Sequence, residues 1–190
     1  MYPELEDPYR HPNLPAGTLL YRVQLAAARP DSVQLNGFNL PPTGLMTGRF
    51  DLVDEPVVYL ASTRRAALLE SVFRRELKHQ TLEHLQRRVL ATVQTLSDLV
   101  LVDLRGLEEE MPFLVAGRYE PCRELAQAWR AQGADGVVYA SPQHPGQSCV
   151  VLFESGLRAS KIVGKELLVS KGRPLQAVLD AASVAAVPLI

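Results

Sequence analysis

Short apolar runs of four to eight residues, separated by Pro, Gly, Asn and Ser, dominate the hydrophobic pattern of this chain. Thr18–Val23, Pro56–Ala61, Val89–Leu96, Leu99–Leu104, Gly136–Ala140 and Ser148–Phe153 read as strands, being rich in β-branched and aliphatic residues. Helical spacing marks other segments. Ala66, Leu69, Phe73 and Leu77 fall on one stripe at about 100° per residue, and Ser62 or Thr63 precedes it with a capping hydroxyl. Residues 76–88 continue as predicted helix, with Glu83 and Arg87 at i,i+4 spacing. Cys122–Gln132 forms another, with Pro121 in its first turn and Gly133 beyond its end. A closing helix covers 174–185. The run Ala181–Val187 reads as a packing segment more readily than as a docking surface. Residues 1–17 carry four prolines and predict an extended arm, while 29–48 predict a long loop, a common place for function. The order is α+β without regular βαβ alternation: a single domain of mixed small β-sheets with flanking helices, spanning 18–190 after the arm.

One polar residue breaks the helical stripe. Glu70 lies on the same face as Ala66, Leu69 and Phe73, where a carboxylate costs free energy unless a cation or ligand meets it. A plainer reading stands beside this: Arg74, four residues on, offers a surface pair worth about 0.3–0.5 kcal/mol.

Composition narrows the function classes. At 190 residues the chain has room for one core, and its 47% hydrophobic content is ordinary for a globular protein. A formal charge of −1 gives no basic excess for generic nucleic-acid binding. No apolar run is long enough to span a bilayer, and the acidic start Met1–Asp7 lacks the features of a signal peptide, so the expected setting is cytoplasmic. Cys122 and Cys149 lie far apart and read as reduced core thiols. His11, His79, His84 and His144 show no metal-ligand spacing, so no metal is expected. The run Glu108–Glu110 reads as a solvated face.

Other polar residues interrupt apolar frames at element ends: Arg22, Arg49 after Gly48, and Ser141 after a Val-Val-Tyr-Ala strand. Taken in order, Tyr21-Arg22, Gly48-Arg49-Phe50, Val58-Tyr59-Leu60-Ala61-Ser62, Leu68-Leu69-Glu70 and Ala140-Ser141-Pro142 resemble the RES-domain toxins, a family named for its Arg, Glu and Ser. The resemblance runs over roughly residues 18–155. It departs at Phe50-Asp51, where the family commonly has Trp and Asn, and at Gln147-Ser148-Cys149.

The resemblance implies a diphtheria-toxin-like ADP-ribosyltransferase core that consumes NAD+ by hydrolysis, phosphorolysis or ADP-ribosyl transfer. It implies Glu70, Arg49 and Tyr59 as catalytic residues, and Arg22, Arg49, Tyr59 and Ser141 as NAD+-binding residues. It also implies a protein antitoxin, often of Xre type, and leaves the oligomeric state open. Each residue has a structural alternative. Arg22 could snorkel at a rim, Arg49 could pair with Asp51 or Asp54, Tyr59 could be core, and Ser141 could be a turn residue before Pro142. Two rival functions remain: a non-catalytic nucleotide- or partner-binding module, and a serine hydrolase built on Ser141 and His144. The second lacks a nucleophile elbow.

Overall fold

Residues 13–74 and 76–190 are described by a computed structural model of the chain. Its strands are β1 (Asn13–Leu14), β2 (Leu19–Leu25), β3 (Val33–Leu35), β4 (Phe38–Leu40), β5 (Val58–Ala61), β6 (Arg88–Thr95), β7 (Leu99–Asp103), β8 (Gly136–Ala140), β9 (Ser148–Leu152), β10 (Ser160–Leu167), β11 (Val169–Ser170) and β12 (Arg173–Pro174). Its α-helices are α1 (Arg64–Ser71), α2 (Leu82–Gln86), α3 (Glu120–Ala131), α4 (Glu154–Arg158) and α5 (Gln176–Ala185), with a 3₁₀ turn at Pro112–Leu114.

Eight strands form one mixed sheet in the order β1-β7-β8-β9-β5-β2-β6-β10, and β3-β4 and β11-β12 make separate two-stranded ribbons. The sheet has two halves. In one, β5 pairs with β9 over four registered positions, and in the other β2 pairs with β6 over seven. A single registered pair, Tyr21 with Ala61, joins β2 to β5. The two strands therefore diverge just past Arg22. The parallel pair β7-β8 is connected through α3, the crossover that parallel strands require.

Local chemistry explains the elements. Thr63 caps α1 by accepting the Ala66 N–H at 3.1 Å, and Ala66, Ala67, Leu68 and Leu69 then bury the helix against β2 and α5. α3 buries Cys122, Leu125, Ala126 and Trp129, a 3.6-period stripe, against Val102, Val137 and Val151 of the sheet. The opposite sheet face packs Leu20, Val58, Leu60, Val93 and Val150 under the β3-β4 ribbon. α5 packs on α1 through Val178, Ala181 and Ala182, so the C-terminal run is a packing segment.

Three expectations change. The stretch 29–48 is not a plain loop: Asn36 (φ 49°) and Gly37 (φ 87°) turn a β3-β4 hairpin, because a two-residue turn with both φ positive matches strand twist. Helix does not run through 76–88. α1 stops at Ser71, the buried Gln80 donates its Nε2 hydrogen to the Val72 carbonyl, and Thr81 caps a separate α2; Leu77, expected on the stripe, is exposed. Of the arm, residues 1–12 lie outside the described residues. The rest is extended but docked: Asn13 and Leu14 pair with Val100 and Leu99, and the Ala16 N–H donates to Asp98. β10 was not foreseen at all, and pairs with β6 along seven positions around a bulge near Gly164.

Candidate active site

The stripe position of Glu70 has a physical cause on the neighbouring strands. Tyr21, Ala61, Cys149 and Tyr139 are register partners across β2, β5, β9 and β8, so their side chains share one sheet face. Glu70, half-buried on α1, meets that row at the end of β8. Ser141 Oγ, only 5% exposed, donates to Glu70 Oε1, and the Gln143 N–H donates to the same oxygen at 3.2 Å. Ser141 Oγ in turn accepts the His144 N–H at 2.8 Å. Thr63, the cap of α1, donates through Oγ1 to Gln147 Oε1 at 2.9 Å. The 141–147 loop is thus pinned to both ends of the helix that carries Glu70. The surface pair with Arg74 is not what Glu70 makes: Arg74 Nε donates to the Glu70 backbone carbonyl instead.

Cys149 lies in this cluster. Burial, and after it the Glu70 charge, pushes its thiol up to about 12. Tyr139 is likewise raised well above the usual phenol value by burial first, then by Cys149 and Tyr59. Both therefore enter the site as neutral groups near pH 7.

Arg22 sits where β2 and β5 diverge. Its Nη1 donates to the Tyr59 carbonyl at 3.2 Å, and its Nε is buried with no hydrogen-bond partner. Burial lowers its pKa to about 10, which still leaves the guanidinium charged near neutrality. The cation is thus held with an unsatisfied donor and no ion pair among the described residues, which costs free energy. The rim reading does not describe it.

The Gly48–Asp51 turn brings in the second arginine. The Gly48 N–H donates to Asp51 Oδ2 at 2.5 Å, Tyr59 Oη donates to Asp51 Oδ1 at 2.9 Å, and the Phe50 N–H donates to Tyr59 Oη at 2.8 Å. A Cβ at position 48 would collide with Tyr59 Oη and Asp51 Oδ1, so glycine is required for the close approach. Arg49 pairs with neither Asp51 nor Asp54. It donates to the Phe113 and Ala116 carbonyls at 3.2 and 2.9 Å and lies 4.7 Å over the Tyr119 ring. Phe50 is fully buried and tilted against Tyr139 at 5.2 Å. Phe50 and Asp51, where the sequence departs from the usual pattern, therefore hold the turn together.

The structure thus brings Glu70 and Ser141 into contact, and links Arg22 and the Gly48–Asp51 turn through Tyr59. Sequence reasoning missed Asp51 as the organiser of the turn and Arg123, which donates to the Gly48 and Met46 carbonyls from α3. It also missed Tyr139 and Cys149; the alternation of Val-Val-Tyr-Ala against Ser-Cys-Val-Val placed them on one face. Among the described residues, no group of three or more His, Cys, Asp or Glu side chains is placed to hold a metal ion.

The RES domain family model matches residues 19–173, which span every one of these residues. The chain belongs to the RES domain family. Among solved structures, the M. tuberculosis MbcT–MbcA toxin–antitoxin complex superposes with a TM-score of 0.61 at 17% sequence identity, covering 92% of each chain. That likeness is one of fold. No curated protein sequence matches the chain. Among the described residues, no helix is long and apolar enough to cross a membrane.

Proposed function

We propose that this RES domain protein is a toxin-type enzyme that cleaves the nicotinamide–ribose bond of NAD+. The observation that carries the reading is the anchored carboxylate: two donors, Ser141 Oγ and the Gln143 N–H, fix one oxygen of Glu70 at the end of β8. Breaking the bond builds positive charge on the ribose as an oxocarbenium-like centre, and a fixed carboxylate stabilises it without reorganising. Nicotinamide leaves as a neutral molecule, so no strong general acid is required.

The other residues divide the substrate among them. Arg22, charged and with a free Nε, and Arg49, held from behind by two carbonyls, bind the pyrophosphate through guanidinium forks. Tyr59 is locked by Asp51 and the Phe50 N–H, and its ring offers a face to the cationic nicotinamide. Burial and the Asp51 charge raise its phenol well above the usual value, so it acts as a neutral hydroxyl. Ser141 orients Glu70 and stands next to the ribose. The rival triad is disfavoured, since Ser141 Oγ donates its hydrogen to Glu70 and His144 Nε2 is buried with no hydrogen-bond partner.

The solved neighbour is named as a toxin–antitoxin complex, which supports a protein antitoxin, of Xre type on the family resemblance, that covers the Glu70 site. The expected setting is the cytoplasm, where NAD+ is available. Product analysis tests the reaction type. NAD+ is supplied to the purified protein with and without inorganic phosphate, and the ADP-ribosyl product is identified by mass spectrometry. ADP-ribose, its 1-phosphate or modified protein names the acceptor; NAD+ bound but recovered intact under all conditions supports the non-catalytic module instead.

A further inference from the structure

A second basic locus lies beyond the site just described. α2 leads directly into β6, and the register of Leu25 with Arg88 sets the start of β6 beside the end of β2, after which the chain carries Arg29. From the end of α1 a single line of hydrogen bonds runs to Arg88. Gln80 Nε2 donates to the Val72 carbonyl at 3.0 Å, and Gln80 Oε1 lies 2.9 Å from His84 Nδ1. His84 Nε2 lies 2.9 Å from Arg88 Nη2. An arginine only donates, so His84 Nε2 must accept, its proton sits on Nδ1, and the ring is neutral. The line therefore brings no negative charge to Arg88.

Three further observations converge there. Arg88 Nε is buried and has no hydrogen-bond partner. The ion pairs among the described residues are made by Arg64, Arg105, Arg130 and Arg158, and none by Arg29, Arg74, Arg87 or Arg88. After burial, the groups that lower the Arg88 pKa are Arg29 and Arg74, both exposed cations. Arg74 itself is tied through Nε to the backbone carbonyl of Glu70, four residues before it. Cations gathered around an unsatisfied buried donor, with no ion pair to any of them among the described residues, cost free energy that an anion would recover.

We infer that Arg88, together with Arg29 and Arg74, forms a phosphate-binding subsite separate from the Arg22 and Arg49 guanidiniums. Nε and the second hydrogen of Nη2 give Arg88 a side-on fork for two phosphate oxygens, and the exposed Arg29 and Arg74 swing in on the remaining charge. A phosphate dianion matches this charge better than a single carboxylate. Its source is either free inorganic phosphate or a terminal phosphate monoester on the nucleotide substrate. Only the second source rests on the NAD+ reading above.

The test is calorimetric titration of the full chain with inorganic phosphate, and of the Glu70→Gln variant with NAD+ and with NADP+. The expected result is phosphate binding that Arg88→Gln weakens at least tenfold. The double change Arg29→Gln with Arg74→Gln, at exposed positions, weakens it comparably and keeps the test valid where Arg88→Gln fails to fold. Tighter binding of NADP+ than NAD+, lost with these arginines, assigns the phosphate to the nucleotide; equal binding of the two with inorganic phosphate still bound assigns it to free phosphate. Absence of both phosphate binding and NADP+ preference, or their persistence in the folded arginine variants, overturns the subsite. Glu70→Gln leaves inorganic phosphate binding unchanged, so a failure of the NAD+-cleaving reading shows up separately.

Discussion

Ser141 spends its hydroxyl on holding Glu70, so in the proposed reaction it acts as a positioning residue. Ser141→Ala is expected to lower turnover about tenfold, or about 1.4 kcal/mol in activation free energy, and to lower the melting temperature as well, because Glu70 and the His144 N–H each lose a buried partner. Steady-state kinetics beside a thermal melt check this; an unchanged turnover removes Ser141 from the mechanism. Cys149 gives a pH prediction. Its folded pKa is about 12 against an ordinary 9.0, so between those values the folded state keeps a proton that the unfolded state has lost. Stability from this group is full below pH 9 and declines as pH rises towards 12. Melts between pH 8 and 10.5 should fall more steeply for the wild type than for Cys149→Ala. Glu70 was legible in the sequence because one carboxylate stood on an apolar stripe. Asp51 was not, since its role depends on a tyrosine eight residues away folding back over the turn.

At the level of elements, the α1 cap carries two duties. Thr63 Oγ1 accepts the Ala66 N–H and donates to Gln147, so it both starts the helix and ties down the 141–147 loop. Thr63→Ala is expected to cost about 1 kcal/mol of stability and also to reduce turnover, while Thr63→Ser restores both. Denaturant unfolding with parallel assays checks it, and loss of stability without loss of activity would separate the cap from the loop. The strands with uniform apolar runs, β8 and β9, were legible, as was α3 between its Pro and Gly. The β3-β4 hairpin was also encoded, in Asn36-Gly37, but the surrounding Pro-rich composition obscured it. β10 was hidden for a different reason. As an edge strand it carries Lys161, Lys165 and Glu166 among its apolar residues and breaks phase at Gly164, so no continuous run marks it. Helix α1 was overextended because its stripe ran on in sequence to Leu77, whereas Gln80 and Thr81 end one helix and begin the next.

Across the whole molecule, two sheet halves meet at one registered pair, and Arg22 occupies the gap between them. The class of fold followed from strand and helix order, but this divergence did not, because it depends on which strands become neighbours. A substrate bound across the gap should couple the halves. With Glu70→Gln, NAD+ is expected to slow amide exchange in β2 and β5 together while leaving the outer strand β10 unaffected. Protection confined to one half would contradict binding across the divergence. The proposed activity itself is tested most directly by nicotinamide release from NAD+, measured for the wild type and Glu70→Gln at matched concentration, with both shown to be folded and to bind NAD+. Release by the wild type that falls at least a hundredfold in Glu70→Gln is the predicted result, about 2.7 kcal/mol of lost transition-state stabilisation. Equal release by both proteins would contradict the account of Glu70, and no release by a wild type that binds NAD+ would contradict the enzyme.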